Sequence, residues 1–273
     1  MAGSGTQQDP YIVSSWNELL LFNETDTYVR FVEDSDVDFL KVYPDGLSSN
    51  LNILCNIDGN NITWKNLYLC NAGQLSFYGT VDRLKFLNFY FRPDATSCLC
   101  VYNNWSHVTL TGVVYATNEC ALFSSGEEVS ILHDIAANLR LYGKQVSMYA
   151  DSNIQLTYSQ IHLEGSATSA IGIYKGTTST SSDVFCKYTG KLQCEQSSNS
   201  YHIFSNNAAS ECNVYDLEVS YIVSDNVDQL TNISVYNNEK ITASTSSVFI
   251  GGCTSEQLND KTYLRSLGFP VGA

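Results

Sequence analysis

The clearest pattern in the sequence is a repeated order of apolar and polar positions in the first half of the chain. Residues 62–69 read Ile-Thr-Trp-Lys-Asn-Leu-Tyr-Leu, and residues 84–91 read Leu-Lys-Phe-Leu-Asn-Phe-Tyr-Phe. In both segments large apolar residues alternate with other residues on either side of an asparagine, and the two asparagines are 22 residues apart. Alternation with a period of two predicts strands. Repetition at this interval predicts a solenoid in which each turn stacks on the previous one.

The asparagines begin a predicted column of bend residues, one for each turn of chain. The column contains Asn66, Asn88, Gly112, Asp134 and Gln160, at steps of 22, 24, 22 and 26 residues. Small or polar residues suit a tight bend. Asparagine and aspartate suit it best because they bond to their own backbone and tolerate a left-handed conformation.

The positions around each predicted bend define the columns that we expect to fill the core. Two residues before the bend stand Trp64, Phe86, Leu110, Leu132 and Tyr158; one residue after it stand Leu67, Phe89, Val113, Ile135 and Ile161. A third inward column, three residues after the bend, contains Leu69, Phe91, Tyr115, Ala137 and Leu163. Because strand side chains alternate between faces, the residues two after the bend point outward: Tyr68, Tyr90, Val114, Ala136 and His162. One turn cannot bury its apolar face alone, so stacking of turns supplies the core.

A short helix is predicted before the repeat, over residues 15–22. Ser15 and Glu18 have the spacing of a capping box, and Trp16, Leu19 and Leu20 fall on one helical face. We expect this helix to cover the first turn, whose backbone groups and core side chains otherwise face water.

A second capping helix is predicted near the end of the chain. Thr254 and Gln257 form another capping-box pattern, followed by a helical segment that ends before Gly268. The predicted organisation is a lead-in and cap at 1–27, a parallel β-helix at 28–250 with an irregular excursion around 165–210, and a cap at 251–273.

Composition and charge narrow the classes of partner. Charged residues make up 15% of the chain, and the formal net charge is −14 with an isoelectric point near 4.5. A chain this acidic repels a phosphate backbone, so we expect no nucleic-acid binding. The longest apolar runs are shorter than the roughly 20 residues of a membrane span, so we expect no membrane insertion.

The nine cysteines favour buried free thiols. Their number is odd and most stand inside apolar runs, where a thiol acts as a small hydrophobe. The close pair Cys98 and Cys100 lacks a second pair at zinc-binding spacing. Free thiols, together with a first segment that does not have the pattern of a signal peptide, favour folding in a reducing compartment.

Acidic residues and histidines are the candidates in this sequence for catalysis or metal binding. A polysaccharide lyase or glycosidase needs paired acidic groups, and the candidates are Asp34, Asp36, Asp58, Asp134 and Asp151. Glu33, Asp34, Asp36 and Asp38 form an acidic run without the spacing of a calcium loop. The histidines are His107, His133, His162 and His202; His133 and His162 are predicted to point outward on neighbouring turns, without a nucleophile motif beside them. Turn and surface roles fit these residues better, so we predict no catalytic, cofactor or metal site.

Tyr68 and Tyr90 form the candidate contact surface. Both occupy the outward column, one turn apart. Stacked tyrosines can bind sugars because the ring offers an apolar face and the hydroxyl a polar tip. Ordinary cross-strand packing between neighbouring tyrosines is the alternative.

Three segments carry a resemblance to known proteins: residues 5–13, 57–67 and 254–269. They resemble right-handed parallel β-helix proteins of the pectate-lyase-like superfamily, of the kind encoded by bacteriophages and prophages of gut bacteria. The resemblance implies an all-β, single-stranded right-handed parallel β-helix with short N- and C-terminal capping helices. It also implies a virion component, such as a head fibre, tail fibre, spike or decoration protein, and brings no known active site.

We therefore expect a non-enzymatic structural protein of a bacteriophage virion, made in the host cytoplasm. It would serve as a rigid scaffold for attachment or for contact with host-surface glycans. The expected partners are other virion proteins, further copies of the chain in a homo-oligomer such as a trimer, and a host glycan. Two alternatives remain open: a tailspike that degrades polysaccharide, and a bacterial surface adhesin.

Overall fold

The predicted fold class is confirmed by a computed structural model. The structure describes residues 2–126, 129–150 and 154–175, the strand segments 182–184, 187–194, 201–202, 212–221, 233–236 and 241–243, and Thr262. Strands account for 61% of it, and they stack in parallel into a β-solenoid of about six turns. The chain is an all-β parallel β-helix.

The described elements are two short helices and a long series of strands. The helices are α1 (Trp16–Leu21) and α2 (Phe39–Val42). The strands are β1 (Tyr11–Val13), β2 (Tyr28–Phe31), β3 (Val37–Asp38), β4 (Asn50–Ile53), β5 (Asn56–Asp58), β6 (Thr63–Lys65), β7 (Tyr68–Asn71), β8 (Gln74–Phe77), β9 (Val81–Asp82), β10 (Lys85–Pro93), β11 (Ser97–Val101), β12 (Trp105–Ser125), β13 (Ser130–Tyr149), β14 (Ile154–Thr157), β15 (Gln160–Lys175), β16 (Ser182–Val184), β17 (Lys187–Cys194), β18 (Tyr201–His202), β19 (Cys212–Tyr221), β20 (Ile233–Tyr236) and β21 (Ile241–Ala243). In the part of the chain that the structure describes, no helix is long and apolar enough to cross a membrane.

Three faces run along the solenoid. The first face stacks β1, β2, β5, β9, the starts of β12 and β13, β14 and β16. The second stacks β3 and β6, then β7 and β10, then the middle parts of β12 and β13, then β15, β17 and β19. The third stacks β4, β8, β11 and the ends of β12, β13 and β15.

An axis of aromatic rings fills the centre of the first turns. Trp64 packs edge-on against Phe86 at a centroid distance of 5.4 Å, and Phe86 stacks on Trp105 at 5.8 Å with the planes 3° apart. Phe77 and Phe123 contact Trp105 at 4.9 and 5.8 Å. All five side chains are fully buried. Each ring contacts rings from neighbouring strands or turns, so the core continues along the solenoid instead of closing within one turn.

Helix α1 begins at the predicted N-cap and closes this axis. The Ser15 hydroxyl accepts the Glu18 N–H at 3.3 Å, and the Trp16 ring packs edge-on against Trp64 at 5.2 Å. Two details of the prediction are wrong. The Glu18 carboxylate accepts the N–H and hydroxyl of Ser14, not the N–H of Ser15, and Leu20 is 37% exposed.

The asparagine bend exists on two consecutive turns. Asn66 and Asn88 adopt left-handed φ angles of 58° and 55°. The Asn88 side-chain amide donates to the Asn66 side-chain oxygen at 2.6 Å, and the Asn66 amide donates to Asp38 at 3.0 Å. The bend residues therefore hydrogen-bond to one another along the solenoid.

The predicted bend column fails from the third turn onward. Leu87 pairs with Thr111 and Phe89 with Gly112, so Asn88 is bulged out and Gly112 lies inside a continuous strand. Gln160 also lies in a strand, β15, where it pairs with Ala136. Asp134 does adopt a left-handed φ of 53°, but it lies at the corner that follows the first face. Arg83, His107 and Tyr158 occupy the same corner on other turns and also have left-handed φ angles.

The lost bulge reverses the faces of the residues that follow it, because a shift of one residue exchanges inward and outward positions. Val113 is only half-buried and Tyr115 is 36% exposed, although both were predicted to be core, whereas Val114 is buried. Leu110 pairs with Ala137 instead of Leu132. Tyr158, also predicted to be core, is 49% exposed because it occupies the first-face corner. The eight other members of the two main core columns are buried as predicted: Trp64, Phe86, Leu110, Leu132, Leu67, Phe89, Ile135 and Ile161.

The predicted excursion and C-terminal cap are only partly covered by the structure. Regular parallel pairing between β15 and β17 continues from Gln160–Lys187 to Ala167–Cys194. The predicted loss of phase from residue 165 is therefore wrong for these strands. Except for Thr262, the segment 251–273 lies outside the described residues.

Replacing Asn88 tests the bend. Asn88→Ala should lower the free energy of unfolding by about 1–2 kcal/mol. The change removes the hydrogen bond to Asn66, and alanine tolerates the left-handed φ at this position less well than asparagine does. Asn88→Gly should recover the conformational part of the loss, since glycine adopts this backbone freely. Urea unfolding measures both. Equal losses in the two variants would contradict a conformational role for Asn88.

Candidate functional site

The tyrosine face is the outward side of β7, the second half of β10 and the matching parts of β12 and β13. Tyr68 pairs in register with Tyr90, and their rings lie 5.6 Å apart with a tilt of 38°. Tyr90 is 39% exposed, whereas Tyr68 is half-buried. Gly46 packs closely against Tyr68, since a β-carbon at Gly46 would lie 2.6 Å from the ring. The structure thus places the two tyrosines as the sequence predicts and leaves Tyr90 the more open of the pair.

The tyrosine face continues onto the next two turns through residues that the sequence did not point to. The Arg92 guanidinium lies over the Tyr115 ring, 5.2 Å from its centroid. Tyr115 pairs in register with Tyr142, and Val113 with Arg140. Arg140 lies 3.8 Å from Glu164. The face therefore combines tyrosines with two arginines, although the chain as a whole is strongly acidic.

A shallow groove lies beside the tyrosine face on the same second face of the solenoid. Its volume is about 300 Å³. It is lined by Thr109, Thr111, Ala136, Ala137, Asn138, Gln160, Ile161 and His162. Hydroxyl, amide and imidazole groups are suited to hydrogen-bond a polar ligand, and the exposed Ala136 leaves room between them.

A second pair of stacked tyrosines lies on a different part of the surface. Tyr78 follows β8 and Tyr102 follows β11, and their rings are parallel to within 2° at 4.4 Å. They are 40% and 39% exposed, which matches the exposure of Tyr90. This pair lies away from the arginines of the tyrosine face and provides a natural control for it.

An ion-pair ladder occupies the outward side of the first face. Arg30, Asp58 and Asp82 follow one another in register. Arg30 Nε lies 2.8 Å from Asp58, and Arg83 contacts both Asp58, at 2.5 Å, and Asp82, at 3.4 Å. Each contact joins side chains from different turns or from a strand and its corner, so the ladder braces the stack.

Asp58 is the central carboxylate of the ladder. Partial burial by itself would raise the pKa of Asp58, but hydrogen bonds from Arg83, from the Asn60 N–H and from Arg30 outweigh it and hold the pKa below its ordinary value. The Asp58 carboxylate therefore links three turns of the solenoid through its contacts with Arg30 and Arg83. It is not poised as a general acid.

His107 lies between two carboxylates at the corner that follows the ladder. His107 Nδ1 is 2.7 Å from Asp82 Oδ1, and Nε2 is 3.9 Å from Asp134. The Ser106 hydroxyl donates to the same Asp82 oxygen at 2.7 Å. His107 and Asp134 are both more than half exposed. This corner has residue types found in acid–base catalysis, but it lies on an open edge that does not exclude water.

The other acidic residues considered as candidates for catalysis or metal binding do not lie together. Asp36 accepts the Thr63 N–H at 2.7 Å, Asp38 accepts from Asn66, and Asp34 occupies an exposed left-handed turn with φ of 61°. Asp151 lies outside the described residues. Within the described ranges, no three histidine, cysteine or acidic side chains are placed to hold a metal ion.

His133 and His162, predicted to point outward on neighbouring turns, lie on different faces of the solenoid. His133 belongs to the first face, where its Nδ1 lies 2.8 Å from the Thr157 hydroxyl. His162 belongs to the second face, where it pairs with Asn138 and lies 3.4 Å from Glu164. The prediction put both histidines beside the same bend, His133 one residue before Asp134 and His162 two residues after Gln160, because Asp134 was taken as the same bend as Asn88. His202 is in β18, and its side chain is outside the described set.

Four residues of the tyrosine face were not recognised from the sequence: Arg92, Tyr115, Arg140 and Tyr142. Arg140 and Tyr142 could have been recognised as an outward pair, because they alternate with the buried Leu139 and Leu141. The same alternation puts Arg92 two residues after the outward Tyr90. Tyr115 could not be assigned this way, because its face depends on the bulge at Asn88.

Comparisons of the chain with protein-family models, with curated proteins and with solved structures find no match.

The ladder predicts acid sensitivity. A carboxylate whose folded pKa is lowered contributes stability above its unfolded pKa of about 3.9, and this contribution is lost as the pH falls through the folded value. Asp58→Asn should therefore lower the free energy of unfolding by about 1 kcal/mol at pH 7, after allowing for the partly exposed arginines.

The difference between wild type and Asp58→Asn should shrink as the pH falls below about 4, because the wild-type carboxyl is then also neutral. Denaturant unfolding from pH 7 to pH 2.5 measures it. Asp134→Asn is the control, because this carboxylate is 58% exposed and lies 3.9 Å from its partner. A difference that stays constant with pH would rule out the ladder as its source.

Proposed function

We propose that this chain is a non-enzymatic structural protein of a bacteriophage virion, a rigid fibre, spike or decoration component that contacts a host-surface glycan. The proposal adds a biological setting to the solenoid fold. It is supported by the resemblance of residues 5–13, 57–67 and 254–269 to phage- and prophage-encoded β-helix proteins. Buried free thiols, such as Cys55 and Cys98, fit synthesis in the reducing host cytoplasm before assembly.

The observation that carries the proposal is the continuous aromatic axis. Trp64, Phe86 and Trp105 contact ring to ring across three turns, and Trp16 closes the end. Side-chain ladders on the outside, including Asn66–Asn88 and Arg30–Asp58, tie the same turns together. A stack connected inside and outside resists bending, which suits an element that projects or presents a surface.

The tyrosine face is the proposed contact surface. Tyr90 and Tyr115 expose ring surface, and the groove beside them offers hydroxyl and amide groups. A sugar has an apolar ring face bordered by hydroxyls, so aromatic stacking and hydrogen bonding can act on it together. Successive turns of a parallel stack lie about 4.8 Å apart, so the face repeats its contacts on the scale of a saccharide unit.

The proposed partners inside the particle are other virion proteins and further copies of this chain. A homo-oligomer such as a trimer fits an elongated solenoid, since packing several stacks side by side stiffens a projecting element. The trimer is part of the proposal through analogy with the fold class.

The proposed place of this protein in a virion is tested by measuring whether purified particles contain it. Particles released from an induced producing strain, purified by density gradient, should contain the chain at a constant number of copies per particle by quantitative mass spectrometry. A major cytoplasmic protein of the host is the control and should be depleted. Absence of the chain from particles that retain their capsid and tail proteins would overturn the proposal.

The contact surface is tested by replacing Tyr90. Tyr90→Ala should weaken binding to purified host-surface polysaccharide about fivefold, since loss of one stacked ring costs about 1 kcal/mol. Tyr78→Ala, equally exposed on the other tyrosine pair, should leave binding unchanged. Calorimetry or biolayer interferometry measures both.

Equal weakening in the two variants, or none in either, would contradict a role for the tyrosine face. Release of reducing or unsaturated sugars during the same incubation would instead favour the alternative of a polysaccharide-degrading tailspike.

A further inference from the structure

Two cysteines on consecutive turns meet in the interior of the solenoid. Cys98 in β11 and Cys120 in β12 are 22 residues apart, and their sulfur atoms lie 3.3 Å from each other. Both side chains are fully buried. A disulfide has a sulfur–sulfur distance of about 2.05 Å, so the two atoms must approach by little more than 1 Å.

The pair is distinguished from the neighbouring cysteines by its contacts. Cys100 lies 3.0 Å from the Ser124 hydroxyl and 3.6 Å from that of Ser97, so its sulfur is engaged by hydroxyls. The Cys70 sulfur lies 3.7 Å from the Asp45 carbonyl. Among the cysteines whose side chains the structure describes, the sulfur-to-sulfur contact belongs to Cys98 and Cys120.

The strand register defines how the contact is made. Ser97 pairs with Ala121, and Leu99 with Phe123, so Cys98 and Cys120 lie diagonally across the two strands. Their side chains span this diagonal, and closing the bond requires a small shift of the backbone as well as rotation of the side chains.

We propose that Cys98 and Cys120 are an oxidation site, at which a small oxidant such as hydrogen peroxide converts two free thiols into a disulfide between consecutive turns. One thiolate attacks the peroxide, forming a sulfenic acid and releasing hydroxide, which takes up a proton to give water. The second sulfur then attacks the sulfenic sulfur and expels a second water. Two thiols and one peroxide thus yield one disulfide and two waters, and both electrons go to the peroxide.

The surroundings make this reaction slow while the protein is folded. Burial, followed by the hydrogen bond with Cys120, raises the pKa of the Cys98 thiol well above its ordinary value. The thiolate is therefore scarce at neutral pH. The pair stays reduced in a reducing compartment, and it closes in an oxidising medium as local opening admits the oxidant.

The cross-link has a defined structural effect. It closes a loop of 22 residues between turns that the reduced protein joins through backbone hydrogen bonds and packing. A loop of this size reduces the freedom of the unfolded chain enough to raise the melting temperature by about 5–10 °C for a chain of this length. This inference does not depend on the proposed function, because it concerns the chemistry of the core.

The test is to treat the reduced, full-length protein with hydrogen peroxide at a temperature just below unfolding. Peroxide is then removed, the remaining thiols are alkylated in denaturant, and a digest is analysed by mass spectrometry. The expected product is a peptide pair linked through Cys98 and Cys120, together with a raised melting temperature that returns to its original value after reduction.

The matched variants are Cys98→Ser, which should abolish both the linked peptide and the rise in melting temperature, and Cys55→Ser, which should keep both. Cys55 is equally buried, and burial raises the pKa of its thiol to about 12. The mapping on the wild-type protein does not depend on how well any variant folds. Recovery of Cys98 and Cys120 as alkylated thiols or as separate sulfinic acids would overturn the proposal.

Discussion

The contact between aromatic rings of successive turns is the interaction on which the structure depends. A single turn cannot bury its apolar face alone, so it gains stability only when another turn packs against it. Phe86 achieves this in both directions, toward Trp64 and toward Trp105.

The outer surface follows from the same stacking. Once the inward side chains are in register, each outward residue lies above the corresponding residue of the previous turn. This produces ladders of like or complementary groups, among them Tyr68 with Tyr90 and Arg30 with Asp58. The candidate contact surface is thus a consequence of core packing, which places Tyr68 beside Tyr90 and Tyr115 beside Tyr142 on consecutive turns.

The same regularity limits what a repeat in the sequence can reveal. Asn66 and Asn88 were recognised correctly as stacked bends, because both carry the local signal of an asparagine between two alternating runs. Gly112 and Gln160 resemble such bends only in their spacing. Gly112 lies in a strand because β12 passes the position of the bulge without bending. Gln160 also lies in a strand, in register with Ala136, Thr109 and Lys85, three residues before Asn88.

The sequence by itself determined the class of fold, the identity of most core residues, the N-terminal capping helix and the outward pair Tyr68 and Tyr90. These properties depend on local alternation and capping, which are encoded within a few residues. The tertiary structure alone decided the faces of Val113, Tyr115 and Tyr158 and brought Cys98 against Cys120. Those outcomes depend on the register between turns, where one bulged residue exchanges inside and outside and distant segments meet.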